Sequence, residues 1–375
     1  MNKVELTWYE KKQGISLKQK IDRLEKKEKR KQKRQSEKKE AEEVKERSFH
    51  TEKKAVNYIK NDSLLDPSKI PEDAKEVIND FSKLLDSSHP LNSRHRAMLP
   101  SQIKVLSHFL TDERQDRRLG YMNQTEHLVA YTHYYMWWNL VRLTRLFANL
   151  PSSFFNLKDA CVCLDIGSGP LTLVAALFLA RPELRKKKLT WYCMDISQSA
   201  LNMGQDIFLS IVARLKCQAW DIIKVKEAFA GEIKQKATFI TCANMFNESA
   251  QDSSMPPDFI AKKYCQTLLS YADKADKNTR FLLVEPGVPK NARLISLLRD
   301  AFMRRGFSPI SPCPHTGNCP MTGQKGGKWC NWAFSTEDAP RALLKLSEAA
   351  YLPKERAVLS FLALQKTAVG DRAEA

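Results

Sequence analysis

From about residue 158 the chain alternates short apolar runs with longer amphipathic stretches. Cys161-Val-Cys-Leu-Asp-Ile166, Leu189-Thr-Trp-Tyr-Cys-Met194, Thr238-Phe-Ile-Thr-Cys-Ala243 and Arg280-Phe-Leu-Leu-Val-Glu285 read as strands. Runs that are apolar on both faces belong to a buried parallel sheet. Between them, Leu171–Ala180, 199–214 and 290–305 carry helical patterns. A short third strand leads to Asp221, and a last one is expected near Phe307–Ser311. This alternation predicts a doubly wound, mostly parallel α/β sheet.

The first part of the chain has a different rhythm. Tyr131, Tyr134, Tyr135, Trp138, Val141 and Leu146 recur at three- and four-residue steps. They predict a helix over about 129–149 that ends before Pro151. Such an aromatic stripe is read as core, although exposed aromatics also stack on bases. Upstream, Pro67, Pro71, Pro90 and Pro100 punctuate short helices, and Val77, Phe81, Leu84 and Leu85 fit one helical face. The expected layout is an arm at 1–60, a helical domain at 61–150, the sheet domain at 151–366 and a tail at 367–375.

Charge sets the arm apart. Residues 1–54 hold 19 Lys/Arg against 11 Asp/Glu, a net of +8, within a 375-residue chain of net +18. Lys18–Lys54 has almost no apolar side chain, so it forms no packed core. Opposite charges at helical spacing favour a solvated helix, the alternative being a disordered tail. The basic excess points to a polyanionic partner, above all nucleic acid.

No apolar run approaches the ~20 residues of a membrane span. Met1–Lys20 has no continuous apolar stretch and carries Glu5 and Glu10, so the protein is read as soluble and cytoplasmic. Nine cysteines, an odd number, argue against a disulfide framework and for reduced core thiols or metal ligands.

The first strand runs into Asp165-Ile-Gly167-Ser168-Gly169-Pro170. Ligands of parallel α/β sheets sit outside the carboxyl ends of the strands, and the two glycines permit a tight turn there. Asp195, at the end of the second strand, is placed to accept both ribose hydroxyls of a nucleoside cofactor. Its alternative role is capping the helix after Ser197. Asp221 is expected to end the third strand, near an adenine amine. A dinucleotide site calls for a third glycine, but the register here is Gly167-Ser-Gly169-Pro-Leu-Thr172. The loop therefore points to S-adenosylmethionine, with Asp165, Gly167, Ser168, Gly169, Asp195 and Asp221 as binding residues.

A second constellation is Cys313-Pro-His315-Thr-Gly-Asn-Cys319-Pro320, followed by Trp329-Cys330-Asn331-Trp332. Three thiols and an imidazole suit zinc or an iron–sulfur centre. The donor types carry this reading, because the spacing is not that of a common zinc ribbon.

These pieces resemble the methyltransferase-like family of small-ribosomal-subunit assembly factors, known from mitochondria and with bacterial members. The resemblance rests on Leu164-Asp-Ile-Gly-Ser-Gly-Pro170, Asn247-Glu248, Val284-Glu-Pro-Gly-Val-Pro289, Cys313-Pro-His315, Cys319-Pro320 and Trp329-Cys330, over about residues 120–365. It implies a class I methyltransferase fold, S-adenosylmethionine binding, an iron–sulfur (4Fe-4S) cluster on the cysteines, and work on the small ribosomal subunit and its rRNA. Mitochondrial members use a fourth cysteine downstream. This chain has none after Cys330, so His315, another residue or a non-protein ligand would complete the site. Ser249 stands where a leucine is expected.

Methyl transfer from a sulfonium depends on alignment more than on acid–base help. The segment after the fourth strand, Asn244-Met-Phe-Asn247-Glu248, lacks the paired prolines of base-amine methyltransferases. Asn244, Asn247 and Glu248 are the catalytic candidates, with helix capping as their alternative role. Two function classes follow: an RNA methyltransferase acting on small-subunit rRNA, or a non-catalytic assembly factor that keeps the pocket and the metal loop.

Overall fold

Five strands run parallel: β1 (Val162–Ile166), β2 (Thr190–Asp195), β3 (Asp221–Lys226), β4 (Phe239–Ala243) and β5 (Arg280–Pro286). Three more complete the sheet: β6 (Phe307–Ser311), β7 (Trp332–Ser335) and β8 (Arg356–Lys366). The order is β3-β2-β1-β4-β5-β8-β6, with β8 antiparallel to its neighbours and β7 also paired to β8. The architecture is thus mixed α/β with a mostly parallel sheet, the class I methyltransferase arrangement. These elements come from a computed structural model that describes residues 64–111, 120–246, 255–321, 323 and 327–367. The charged arm and most of the tail lie outside the described residues.

Strand alternation distributes the side chains over two apolar layers. Cys163, Trp191, Cys193, Phe239, Leu282 and Phe361 face one layer. Leu164, Tyr192, Met194, Ile240, Phe281 and Leu362 face the other. The first layer is covered by α5 (Trp137–Asn149), α6 (Thr172–Ala180) and α8 (Gln198–Arg214); the second by α9 (Pro257–Tyr271) and α10 (Pro289–Met303). The upstream helices α1 (Glu72–Asn79), α2 (Phe81–Ser88) and α3 (Ser93–Thr111) join the first layer through Val77, Phe81, Leu84, Leu85 and Ile103. Pro100 lies inside α3 rather than between helices.

The aromatic helix arrives in three pieces: α4 (Thr125–Ala130), a π-helical turn (Tyr131–Met136) and α5. Tyr134, Trp137 and Trp138 are buried, as core residues should be, whereas Tyr131 and Tyr135 are half-buried. The remaining short helices are α7 (Pro182–Arg185) and α11 (Arg341–Ala349).

Two strand readings need correction. Asp221 begins β3 instead of ending it. Ala219-Trp220 looked like the close of a strand, but Trp220 is a buried plug. Its ring stacks on Trp191 at 5.9 Å and its indole N–H donates to Leu184 O. The true strand, Asp-Ile-Ile-Lys-Val-Lys, lies on the sheet's edge with lysines exposed, as edge strands commonly do. The second correction is β8, which the sequence reading left unmarked. It enters between β5 and β6, a position that only tertiary pairing sets.

Candidate functional site

The chain turns sharply where β1 ends. Gly167 and Gly169 take φ of 67° and 50°, in the left-handed region that penalises side chains. A Cβ on Gly167 would also come within 2.7 Å of Met245 Cγ. Asp165 lies beneath the turn, fully buried. It accepts hydrogen bonds from Thr241 Oγ1 at 2.7 Å and Ser168 Oγ at 2.6 Å, so it ties β1, β4 and the loop together. Burial pushes its carboxyl up to about 7, although both hydroxyls favour the ionised form.

Asp195 does the same for the next turn. One oxygen accepts from Gly169 N and the other from Ser197 N, both at 2.8 Å. Burial raises its pKa against these backbone donors. The capping role is therefore real, and each carboxylate oxygen still has a lone pair for a further donor. Ser197 caps α8 by accepting from Ala200 N at 3.2 Å, and its own hydroxyl donates to Asn123 Oδ1 at 2.8 Å. That bond joins the glycine-loop side of the site to the helical cover.

Above these turns is a cavity of about 460 Å³, within the usual range for small-molecule sites. Asp165, Gly167, Ser168, Gly169 and Asp195 all line it, together with Asn244 and Met245 from the end of β4. Tyr131, Asn139 and Leu143 close it from the helical side. Asp221 is not on its wall, because it starts its strand at the far end of the sheet. Glu227 takes that place: it follows the last residue of β3, its N–H donates to Asp195 O at 3.2 Å, and it lines the cavity with Phe229. Correct strand placement would have found it, as the first carboxylate after the strand.

Asn244 has φ of 59°, and its N–H donates to Val284 O at 2.8 Å. Asn247 and Glu248 lie outside the described residues. Glu285, which had figured only as part of a motif, is fully buried and holds the same region. It accepts from Phe246 N at 2.9 Å and from Asn291 Nδ2 at 3.0 Å. Arg142 is a second residue missed earlier: it donates to Val358 O at 3.0 Å and to Asn139 Oδ1 on the cavity wall, with Tyr131 and Glu285 in electrostatic reach. Arg142 has no sequence signal, and the motif that contains Glu285 does not reveal its partners, because both residues act across elements far apart in the chain.

The cysteine loop leaves β6 at Ser311 and returns as β7 at Trp332, both ends anchored on β8 through Ala363 and Leu359. Cys313, Cys319 and Cys330 are half-buried. Burial and the neighbouring thiols push Cys313 and Cys330 up, while Arg299 draws Cys313 back down. Ser360 Oγ donates to Cys330 O at 2.6 Å. His315 is turned towards Arg299, whose guanidinium donates to its carbonyl and approaches Nδ1 at 3.4 Å. The donor chemistry fits a thiophilic metal. The placement falls short, since among the described residues no three His, Cys, Asp or Glu side chains converge as a metal site. The other six cysteines are free, five of them buried in the core. No described helix is long and apolar enough to cross a membrane.

No curated protein matches the chain significantly. Among solved structures, it is similar to magnesium protoporphyrin IX methyltransferase from Synechocystis PCC 6803 with bound S-adenosylhomocysteine: 16% identity, 70% of this chain and 98% of that one, TM-score 0.35. A S-adenosylmethionine-dependent methyltransferase from Geobacter sulfurreducens in complex with S-adenosylhomocysteine has 12% identity, coverage of 61% and 90%, and TM-score 0.34. The plantazolicin methyltransferase BpumL has 9% identity, coverage of 73% and 98%, and TM-score 0.35. The profile of the family described as mitochondrial small ribosomal subunit Rsm22 matches residues 126–372, well over half of the chain, and the protein belongs to that family.

Proposed function

We propose that the protein binds S-adenosylmethionine in the cavity above the glycine loop and acts on the small ribosomal subunit or its rRNA, transferring a methyl group to RNA. The observation that carries this reading is the cavity itself, at the carboxyl ends of β1, β2 and β4, with Asp195 and the glycine loop on one wall. When bound, the cofactor supplies an electrophilic methyl group. Asp195 accepts the ribose hydroxyls, the glycine loop gives the methionine end close backbone approach, and Glu227 with Phe229 borders the adenine side. The helical cover excludes water.

The second reading, a non-catalytic assembly factor, is favoured by one observation: Asp165 and Asp195 are already engaged in holding the loops. Methyl transfer from labelled S-adenosylmethionine to small-subunit rRNA distinguishes the two. For the cofactor, Asp195→Ala should weaken S-adenosylhomocysteine by roughly 1–3 kcal/mol in calorimetry, because hydroxyl donors are left unpaired. Equal affinity in both proteins would end the assignment.

Cys313, Cys319 and Cys330 are proposed as ligands of an iron–sulfur cluster, with zinc as the alternative and the fourth ligand open. Metal analysis and an ultraviolet–visible spectrum of anaerobically purified protein test this. The rRNA contact is proposed to be mainly electrostatic and to use the 1–54 arm, whose net charge is +8. Each neutralised phosphate on a single strand contributes a log–log salt slope of roughly −0.7, so if half of that charge engages, deleting the arm should flatten the slope by about 3 units. An unchanged slope would assign the arm elsewhere. The compartment follows the ribosome served; the family description names the mitochondrion, which weighs against the bacterial cytoplasm expected from sequence.

A further inference from the structure

Asn244 is unusual in three ways at once. It lines the cavity, it holds a left-handed backbone conformation, and its side-chain Oδ1 has no hydrogen-bond partner among the described residues. Its Oδ1 is buried as well. Left-handed backbone costs a non-glycine residue energy, although asparagine tolerates it best. A buried acceptor without a donor adds to that cost. Strain of this kind collects where a ligand is handled. An amide carries a donor and an acceptor side by side in one plane, which matches the hydrogen-bonding edge of a nucleobase.

The wall contributed by the helical cover supplies the complementary surface. Tyr131 lines the same cavity and is half-buried, stacked on Tyr135 with ring centroids 5.6 Å apart and planes inclined by 24°. It is the first residue of the π-helical turn, a distortion that often marks functional sites. Arg142, within electrostatic reach of Tyr131, donates to Asn139 on the same wall. One cavity thus holds an aromatic face, a planar amide with an unpaired acceptor and the glycine loop.

Resting on the methyltransferase reading, we infer that this cavity takes a single planar nucleobase turned out of its strand, with Tyr131 as its stacking surface and the Asn244 amide reading its edge. The substrate class is then a base of unpaired RNA, rather than a ribose hydroxyl or a protein side chain. Enzymes that act on a base must extract it from its stack, and single-stranded segments present bases for stacking and edge recognition.

The test uses the full-length protein and short single-stranded fragments tiled across small-subunit rRNA, with and without saturating S-adenosylhomocysteine. The tightest-binding fragment is rescanned with one abasic position at a time. One position should cost about tenfold in affinity, the scale of a lost base–aromatic stack. Tyr131→Leu and Asn244→Gly should each shrink that penalty, and Tyr131→Phe should keep it. Glycine is chosen at 244 because it relieves the left-handed backbone, so the variant loses the amide without added strain. Asn244→Asp keeps the shape, replaces the donor by an acceptor, and should change which base is preferred. No single sensitive base, or a full penalty in both Tyr131→Leu and Asn244→Gly, overturns the inference. Failure of the wild type to bind S-adenosylhomocysteine would overturn the cofactor reading instead, and a surviving single-base penalty would still support the base subsite.

Discussion

The glycine loop and the cysteine loop both emerge from carboxyl ends of strands, yet they are built on opposite principles. In the glycine loop, all four carboxylate oxygens of Asp165 and Asp195 already accept a hydrogen bond, and two of its three positive φ angles fall on glycines, the third on Leu171 where the helix begins. It is organised before any ligand arrives. In the cysteine loop, burial and the neighbouring thiols push Cys313 and Cys330 up, the nearby cation is Arg299, and the imidazole faces that cation instead of the thiols. The strand edges bring its donors together, but nothing among the described residues closes them around a centre. A ligand for the first loop meets a finished surface; a metal for the second would have to complete the order itself.

Gly167→Ala should break the finished loop most severely. The new Cβ meets Met245 and takes a left-handed backbone. Overpacking costs about 1–3 kcal/mol and the backbone roughly 1–2 more. Urea unfolding should show a loss of that size, and S-adenosylhomocysteine binding should disappear. An unchanged midpoint would mean that the loop is looser than its hydrogen bonds imply.

The cysteine loop provides the next test. If a metal completes it, Cys313→Ser, Cys319→Ser and Cys330→Ser should each lower bound iron or zinc and depress the melting temperature, since metal binding is linked to folding. Full metal content in all three variants would remove the loop from consideration as a metal site.

The last test of the finished loop is a pH slope. Asp165 has a native pKa of about 7, against ~3.9 for an unfolded aspartate. Between those values the native state binds more protons than the unfolded chain, so stability should fall as pH rises from about 4 to 7. A single group sets a limit of about 1.4 kcal/mol per pH unit. Asp165→Asn should remove this contribution to the urea midpoint. The same slope in both proteins would show that Asp165 is already ionised and better solvated than its burial suggests.

Much of this was legible from sequence where the signal is local. The apolar runs 161–166 and 280–285 are core strands because a strand buried on both faces must be apolar throughout. The glycine loop and Asp195 were readable from their place at strand ends. Asp221 was misplaced because Trp220, an apolar residue in an apolar context, plugs the core below β3 instead of closing the strand. Glu227 was missed with it.

What the sequence by itself determined is therefore the alternation that makes the sheet, the glycines that make the turn, and the charge that makes the chain basic. Each follows from a residue's own backbone freedom, hydrophobicity or charge. The tertiary structure alone decided that β8 enters antiparallel between β5 and β6, that Glu285 and Arg142 brace the cavity, that His315 turns to Arg299, and that Tyr131 and Asn244 share one cavity. Those are contacts between elements far apart in the chain. They depend on which surfaces meet when the two apolar layers close, and no local pattern encodes that.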